Sequence, residues 1–209
     1  MNLQNNLNIY RRWAGVYDAL FGPLFGRARR RAIAALALRP GERLLLPGVG
    51  TGLDLPHLPP AVITAAGDFS PAMLAKALEK ARPRHGLHQH DAQRLPLPSA
   101  SCDAALLSLI VSVAPDGAAV AAEAWHVLKP GGRLVIFDKF LPETASVTAG
   151  RRLLGGVIAR LGTDVNRRLS DILPAAPELV IEWNEPSLLR GQYRIIRLRK
   201  ATGPRDTAS

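Results

Sequence analysis

Residues 44–56 read LLLPGVGTGLDLP, an apolar run that ends in three glycines at every second position, Gly48, Gly50 and Gly52. The run predicts a buried strand, and the glycines predict a turn whose backbone a ligand must approach closely. Strand-like and helix-like segments then alternate along most of the chain. RLLLP, AVITAAGD, a short stretch before HDAQRLPLPSASCD, AALLSLIVSV and RLVIFDKF read as five strands. Between them SPAMLAKALEKAR reads as a helix with Ser70 as its N-cap and Pro71 at its first position, and DGAAVAAEAWHVL as a helix stopped by KPGG. A short helix is expected after the glycine turn. ELVIEWNEPS and GQYRIIRLRK read as a closing pair of strands. This alternation predicts an α/β fold with a doubly wound, mostly parallel seven-stranded sheet. Folds of this kind bind ligands beyond the carboxyl ends of the strands, near the reversal of strand order.

A single domain is expected over residues 1–200, followed by a loose tail at 201–209. Within it, residues 1–38 read as an N-terminal helical lid, with helices at 8–21 and 23–38 on either side of Gly22-Pro23. Residues 42–138 form the ligand-binding core, 142–175 a substrate-side segment and 178–200 the closing strands. The chain has one cysteine, Cys102, which excludes an internal disulfide and suits a reducing compartment. No apolar signal core opens the sequence, and its longest apolar stretch, residues 104–114, is too short to span a bilayer. A cytoplasmic protein is expected, with peripheral contact at the inner membrane surface left open. His88 and His90 lack the neighbouring acids or cysteines of a metal site, so no metal is expected.

The glycine spacing selects among nucleotide ligands. A dinucleotide fingerprint has G-x-G-x-x-G, and here Leu53 stands where its third glycine would be. No Gly-Lys-Ser/Thr follows, so a phosphate loop is absent as well. Asp68 lies 20 residues after Gly48, the separation of an acid that accepts from ribose hydroxyls; the plainer alternative is a helix-capping acid before Ser70.

Four segments in order then resemble a class I S-adenosylmethionine (SAM) dependent methyltransferase. They are PGVGTG, AAGDFSPAML, HDAQRLPLPSASCDAALLS and EAWHVLKPGGRLVIFD, spanning residues 42–138. The resemblance implies SAM as cofactor. It implies cofactor contacts from Gly48, Gly50, Gly52, Asp68, Phe69, Met73, Asp91, Ala92 and Leu109, with Asp91 accepting from the adenine amine. The alternative for Asp91 is an ordinary turn residue. One departure stands out: members of the family usually carry an acid where Leu46 stands. Leu46 is expected to be a packing residue, and Asp54, just past the turn, is the candidate to take over the cationic amino group of the cofactor.

The N-terminal segment bears on the acceptor. Tyr10, Trp13, Tyr17, Phe21 and Phe25 recur at three- or four-residue steps beside arginines 11 and 12 and the arginines at 27, 29, 30 and 31. Residues 1–40 hold seven arginines against one acid, Asp18, and so carry most of the net charge of +10. An aromatic stripe among arginines suits either a helix at an anionic membrane interface or a lid packed on the domain; a solvated arginine-rich face is the plain alternative. YRRWAGVYDALFG also resembles the opening of small bacterial phosphatidylethanolamine N-methyltransferases and, more loosely, of quinone C-methyltransferases. That resemblance implies a catalytic Tyr17 oriented by Asp18. Asp138 and Lys139 are expected to face the pocket from the end of the fifth strand, Asp138 as a catalytic residue. Tyr10, Trp13, Lys139, Arg167 and Arg168 are the substrate candidates, with Asp164 and Asn166 nearby. The expected activity is methyl transfer to a small or amphipathic acceptor, first a phospholipid amine, with a quinone, phenol or thiol second and non-catalytic SAM binding as a third reading. Nucleic acid is an unlikely partner, because no amine-methylation motif of the Asn-Pro-Pro-Tyr kind follows the fourth strand.

Overall fold

The computed structural model describes residues 23–143 and 166–202. A helix, α1, covers 23–35. It is followed by β1 (Arg43–Leu46), a single 3-10 turn (Leu55–His57), β2 (Ile63–Asp68), α2 (Pro71–Leu78) and β3 (His85–Gln89). Then come β4 (Cys102–Ser108), α3 (Gly117–Val127), β5 (Leu128–Lys139), β6 (Leu179–Leu188) and β7 (Tyr193–Lys200). The seven strands form one sheet in the order β3-β2-β1-β4-β5-β7-β6. All pairings from β3 to β5 are parallel, and β7 runs antiparallel to both β5 and β6. The expected doubly wound sheet and its closing pair are both present.

The central strands alternate between two cores, which is why they read as continuous apolar runs. Leu44 and Leu46 of β1, Ala104 and Leu106 of β4, and Val135 and Phe137 of β5 share one face with Phe25, Ala28, Ala32 and Leu36. Leu45, Ala105, Leu107, Leu134 and Ile136 point the other way, onto Val120, Ala121, Ala124 and Trp125 of α3. The inward stripe of α1 is Phe25, Ala28, Arg29, Ala32 and Ile33, continued by Leu36 just past the helix end, all buried at helical spacing. Its aromatic end is fixed by Phe25, whose ring lies 6.1 Å from that of Phe137 and 5.1 Å from that of Tyr193.

Some boundaries differ from the sequence reading. The fourth strand stops at Ser108 rather than running on to Val113. Leu109 takes a left-handed conformation (φ 57°), which turns the chain out of the sheet while its N–H donates to the Phe137 carbonyl. After the glycine turn only the 3-10 turn forms, because Pro56, Pro59 and Pro60 withhold backbone donors. The segment before RLVIFDKF is already part of β5, with Gly131 at φ 78° and a break in register against β4 between Cys102 and Ala104. Ser70 caps α2 as expected, accepting from the Met73 N–H. Two expectations, the helix at 8–21 and the structure of 144–165, lie outside the described residues.

Leu46 is 2% exposed and packed with the α1 stripe, as a packing residue should be. Leu46→Glu would place an unpaired carboxylate in that core. We expect a loss of about 3–5 kcal/mol in unfolding free energy, measured by urea denaturation.

Candidate active site

The sheet order reverses between β1 and β4, and the glycine turn sits at the carboxyl end of β1, beside that reversal. A Cβ on Gly48 would come within 2.2 Å of the end of the Ile110 side chain, which would have to move aside. Gly50 has φ 55°, and its N–H donates to Asp68 Oδ2 at 2.9 Å. Both line a cleft together with Val49, Thr51 and Leu53. Gly52 does not line it. A Cβ on Gly52 would lie 2.8 Å from the Ala77 Cα, so this glycine lets α2 close on the turn rather than admitting a ligand.

Asp68 ends β2 and faces the same cleft. Its other oxygen, Oδ1, accepts from the Ser70 N–H at 2.9 Å, so the carboxylate ties the two turns together. Burial pushes its carboxyl above the ordinary range, against the pull of the Ser70, Gly50 and Phe69 N–H groups. Two N–H bonds leave lone pairs on both oxygens for a further donor. Phe69, Ser70 and Met73 continue the wall.

Asp91 and Ala92 lie in the wall as well. Asp91 Oδ1 accepts from the Gln93 N–H at 2.9 Å, the geometry of a turn residue, while the group still faces the cleft. Gln93, which sequence reasoning missed, also lines the cleft. Its Nε2 donates to both Asp91 oxygens, and its Oε1 accepts from the N–H of Asp116, the N-cap of α3. Beyond β4 the wall is apolar: Leu109, Ile110, Val113, Ala114 and Pro115.

Arg29 of α1 is the second residue the sequence reading missed. It lines the cleft and is 7% exposed. Its Nη1 donates to Asp54 Oδ2 at 2.6 Å and to Ser108 Oγ at 3.1 Å. Asp54 is thus present near the turn but is committed to Arg29, and it does not itself line the cleft. The signal was legible: an arginine at a position of the apolar stripe Phe25, Ala28, Ala32, Ile33 must be paired or functional.

Other candidates stand elsewhere. Asp138 is completely buried and is no wall residue; its oxygens accept from the Ser112 and Lys139 N–H groups, and burial raises its carboxyl. It holds the post-β4 segment from behind, because the strand pleat turns this side chain under the loop. Lys139 lies with its Nζ 6.0 Å from the Tyr193 ring centre, away from the cleft. Arg167 donates to the carbonyls of Val111, Ala114 and Pro115 and so braces the wall rather than lining it. Arg168 donates to the Glu143 carbonyl at 2.5 Å. Tyr10, Trp13, Tyr17, Asp18 and Asp164 lie outside the described residues.

With this geometry established, comparison with known proteins defines the class. The family described as "Methyltransferase domain" matches residues 45–136. A phosphatidylethanolamine N-methyltransferase of Cereibacter sphaeroides is 33% identical over 91% of this chain and 95% of its own length. A demethylmenaquinone methyltransferase of Deinococcus radiodurans is 34% identical over 85% of this chain and 74% of its own. Among solved structures, the [4+2]-cyclase SpnF superposes with a TM-score of 0.70 at 22% identity, covering 85% of this chain and 82% of that one, a likeness of fold alone. The chain belongs to the SAM-dependent methyltransferases and is an enzyme of that class, with SAM as its cofactor. The site fits that cofactor. A side-chain-free turn admits it, and the half-buried Asp68 carboxylate keeps acceptor capacity toward a ribose diol. Bound here, SAM would be held by Asp68 and the glycine turn, with Asp91 and Ala92 toward the adenine.

His90, just after β3, is held by the fold. Its Nε2 faces the Pro47 carbonyl at 3.1 Å, its ring fills the space a Gly67 side chain would need, and burial lowers its pKa. His85 is lowered too, mainly by burial. The unfolded chain therefore takes up these protons first. Stability is fully present above the ordinary histidine pKa of about 6.5 and is lost as pH falls below it. Thermal melts from pH 7.5 to 5 should show this loss, and His90→Gln should flatten it, leaving the contribution of His85.

Proposed function

We propose that this enzyme methylates the amine of a phosphatidylethanolamine-type phospholipid. The observation that carries the reading is the similarity to the Cereibacter enzyme, which covers 91% of this chain and 95% of that one. Two features support it. Among the described residues of the cleft wall, the titratable side chains are Asp68, Asp91 and Arg29; the two acids suit the nucleoside, and none is a base placed for an acceptor. A neutral amine needs no such base at the moment of transfer, whereas a phenol does. The wall beyond β4 is also apolar from Leu109 to Pro115, which suits an amphipathic molecule.

SAM supplies an electrophilic methyl group on a sulfonium. The protein contributes alignment. Asp68 and the glycine turn would hold the nucleoside, and the apolar segment 109–115, braced by Arg167, would keep water from the acceptor side. Much of the acceleration in such a site is positional. Of the exposed arginines of α1, Arg31 pairs with Glu185, while Arg27 and Arg30 also face away from the core and would meet anionic headgroups.

Radiolabelled SAM should transfer label to phosphatidylethanolamine in vesicles. Label appearing only in a demethylated quinone, or only in a soluble extract, would replace this reading with the second. Asp68→Ala should weaken S-adenosylhomocysteine binding by about 1–3 kcal/mol in calorimetry, for lost charge-assisted hydrogen bonds. Vesicle co-sedimentation should rise with anionic lipid and fall with salt. Reversing Arg27 and Arg30 to Glu should weaken it at about 1 kcal/mol per removed positive charge or more, with cofactor affinity unchanged.

A further inference from the structure

We propose that Arg29 binds the carboxylate at the amino-acid end of the cofactor, and that Asp54 is the positioning residue that aims it. The inference rests on the assignment of this cleft to SAM. It starts from the distribution of charge across the sheet. The order β3-β2-β1-β4 sets Asp91, Asp68, the glycine turn and Ser108 in sequence along the cleft. Both acids stand at the β3-β2 end. Arg29, the one cationic side chain in the described wall, stands against Ser108 at the β4 end. A nucleoside presents hydroxyl and amine donors, which suit carboxylates. A free α-carboxylate beside Asp68 and Asp91 would be repelled, and Arg29 gives it an opposite charge.

The local construction supports a ligand role over a purely structural one. Arg29 is 7% exposed, and a buried guanidinium is costly unless its donors are used. Only Nη1 is occupied by Asp54 and Ser108, and Nε has no partner among the described residues. A guanidinium has five donors in a planar fork, so capacity for a carboxylate remains. Asp54, 2% exposed, fixes the fork from behind through one oxygen. Leu46, under the same turn, brings no polar group to this end, so Arg29 and Ser108 are the polar side chains the described wall offers there.

The test compares three ligands by calorimetry on the full chain: SAM, decarboxylated SAM, and 5′-methylthioadenosine, which lacks the amino-acid end. The wild type should bind SAM about tenfold or more tighter than the decarboxylated form, as expected for a buried charge-assisted pair. Arg29→Met should bring that ratio near one and leave 5′-methylthioadenosine affinity unchanged. Asp54→Asn should shrink the ratio in part, again without moving 5′-methylthioadenosine, whereas a purely structural role would weaken all three alike. Arg29→Lys, which keeps the charge and loses the fork, serves if the methionine variant does not fold; it too should shrink the ratio. Equal wild-type affinity for SAM and its decarboxylated form overturns the proposal, as does a ratio that survives Arg29→Met. A surviving ratio with a raised KM for the acceptor would give Arg29 to the acceptor instead. If 5′-methylthioadenosine also fails to bind, the assignment of the cleft itself falls.

Discussion

The cleft exists because β1 and β4 are neighbours whose following segments leave toward opposite faces of the sheet. After β1 the chain turns toward the face covered by α1 and α2; after β4 it turns toward α3. Between these departures the carboxyl ends of the strands stand uncovered. Three parts of the site border this gap: the glycine turn on one side, Leu109 and the segment after it on the other, and Arg29 reaching in from α1. The arrangement depends on strands buried on both faces, since a single-sided sheet would give the second helix layer nothing to pack on.

Asp68 shows how few groups hold the cofactor side together. One carboxylate accepts the Gly50 N–H through one oxygen and the Ser70 N–H through the other, joining the turns after β1 and β2. Its burial opposes its charge, and the N–H groups offset that cost. Asp138 does similar work behind the cleft, where it pins the segment after β4 through Ser112. One half-buried and one fully buried carboxylate thus fix backbone geometry on both sides of the gap, and only the first faces the cleft.

The fold was largely legible in the sequence because period-two burial on central strands writes continuous apolar runs, and turn chemistry marks where they end. The cofactor side was legible for the same reason: glycines and an acid at fixed spacing have few other uses. Misplacements came where side-chain direction decides. Asp138 follows a strand whose pleat turns it under a loop, and sequence spacing does not report which side of a strand end faces a cleft. Arg167 and Arg168 sat in a polar segment that gives no periodicity to orient them, and both donate to backbone carbonyls. Arg29 was grouped with its neighbours 27 to 31 as one basic cluster, although helical spacing separates it from the outward Arg27, Arg30 and Arg31. Gly52 belongs to the right motif but serves the packing of α2.

The two ends of the segment between β5 and β6 are clasped. The Leu141 N–H donates to the Arg167 carbonyl at 2.9 Å, and Glu143 receives donors from Arg168 and Ser170. The described chain therefore leaves after β5 and returns before β6 at neighbouring points. The entropy of closing such a loop grows only logarithmically, by about 0.6 kcal/mol for each doubling of its length. The clasp also reaches the cleft directly, because the Arg167 whose carbonyl closes it donates its side chain to the carbonyls of the wall segment after β4, so the two ends of the chain beyond β5 and the apolar wall are held as one piece.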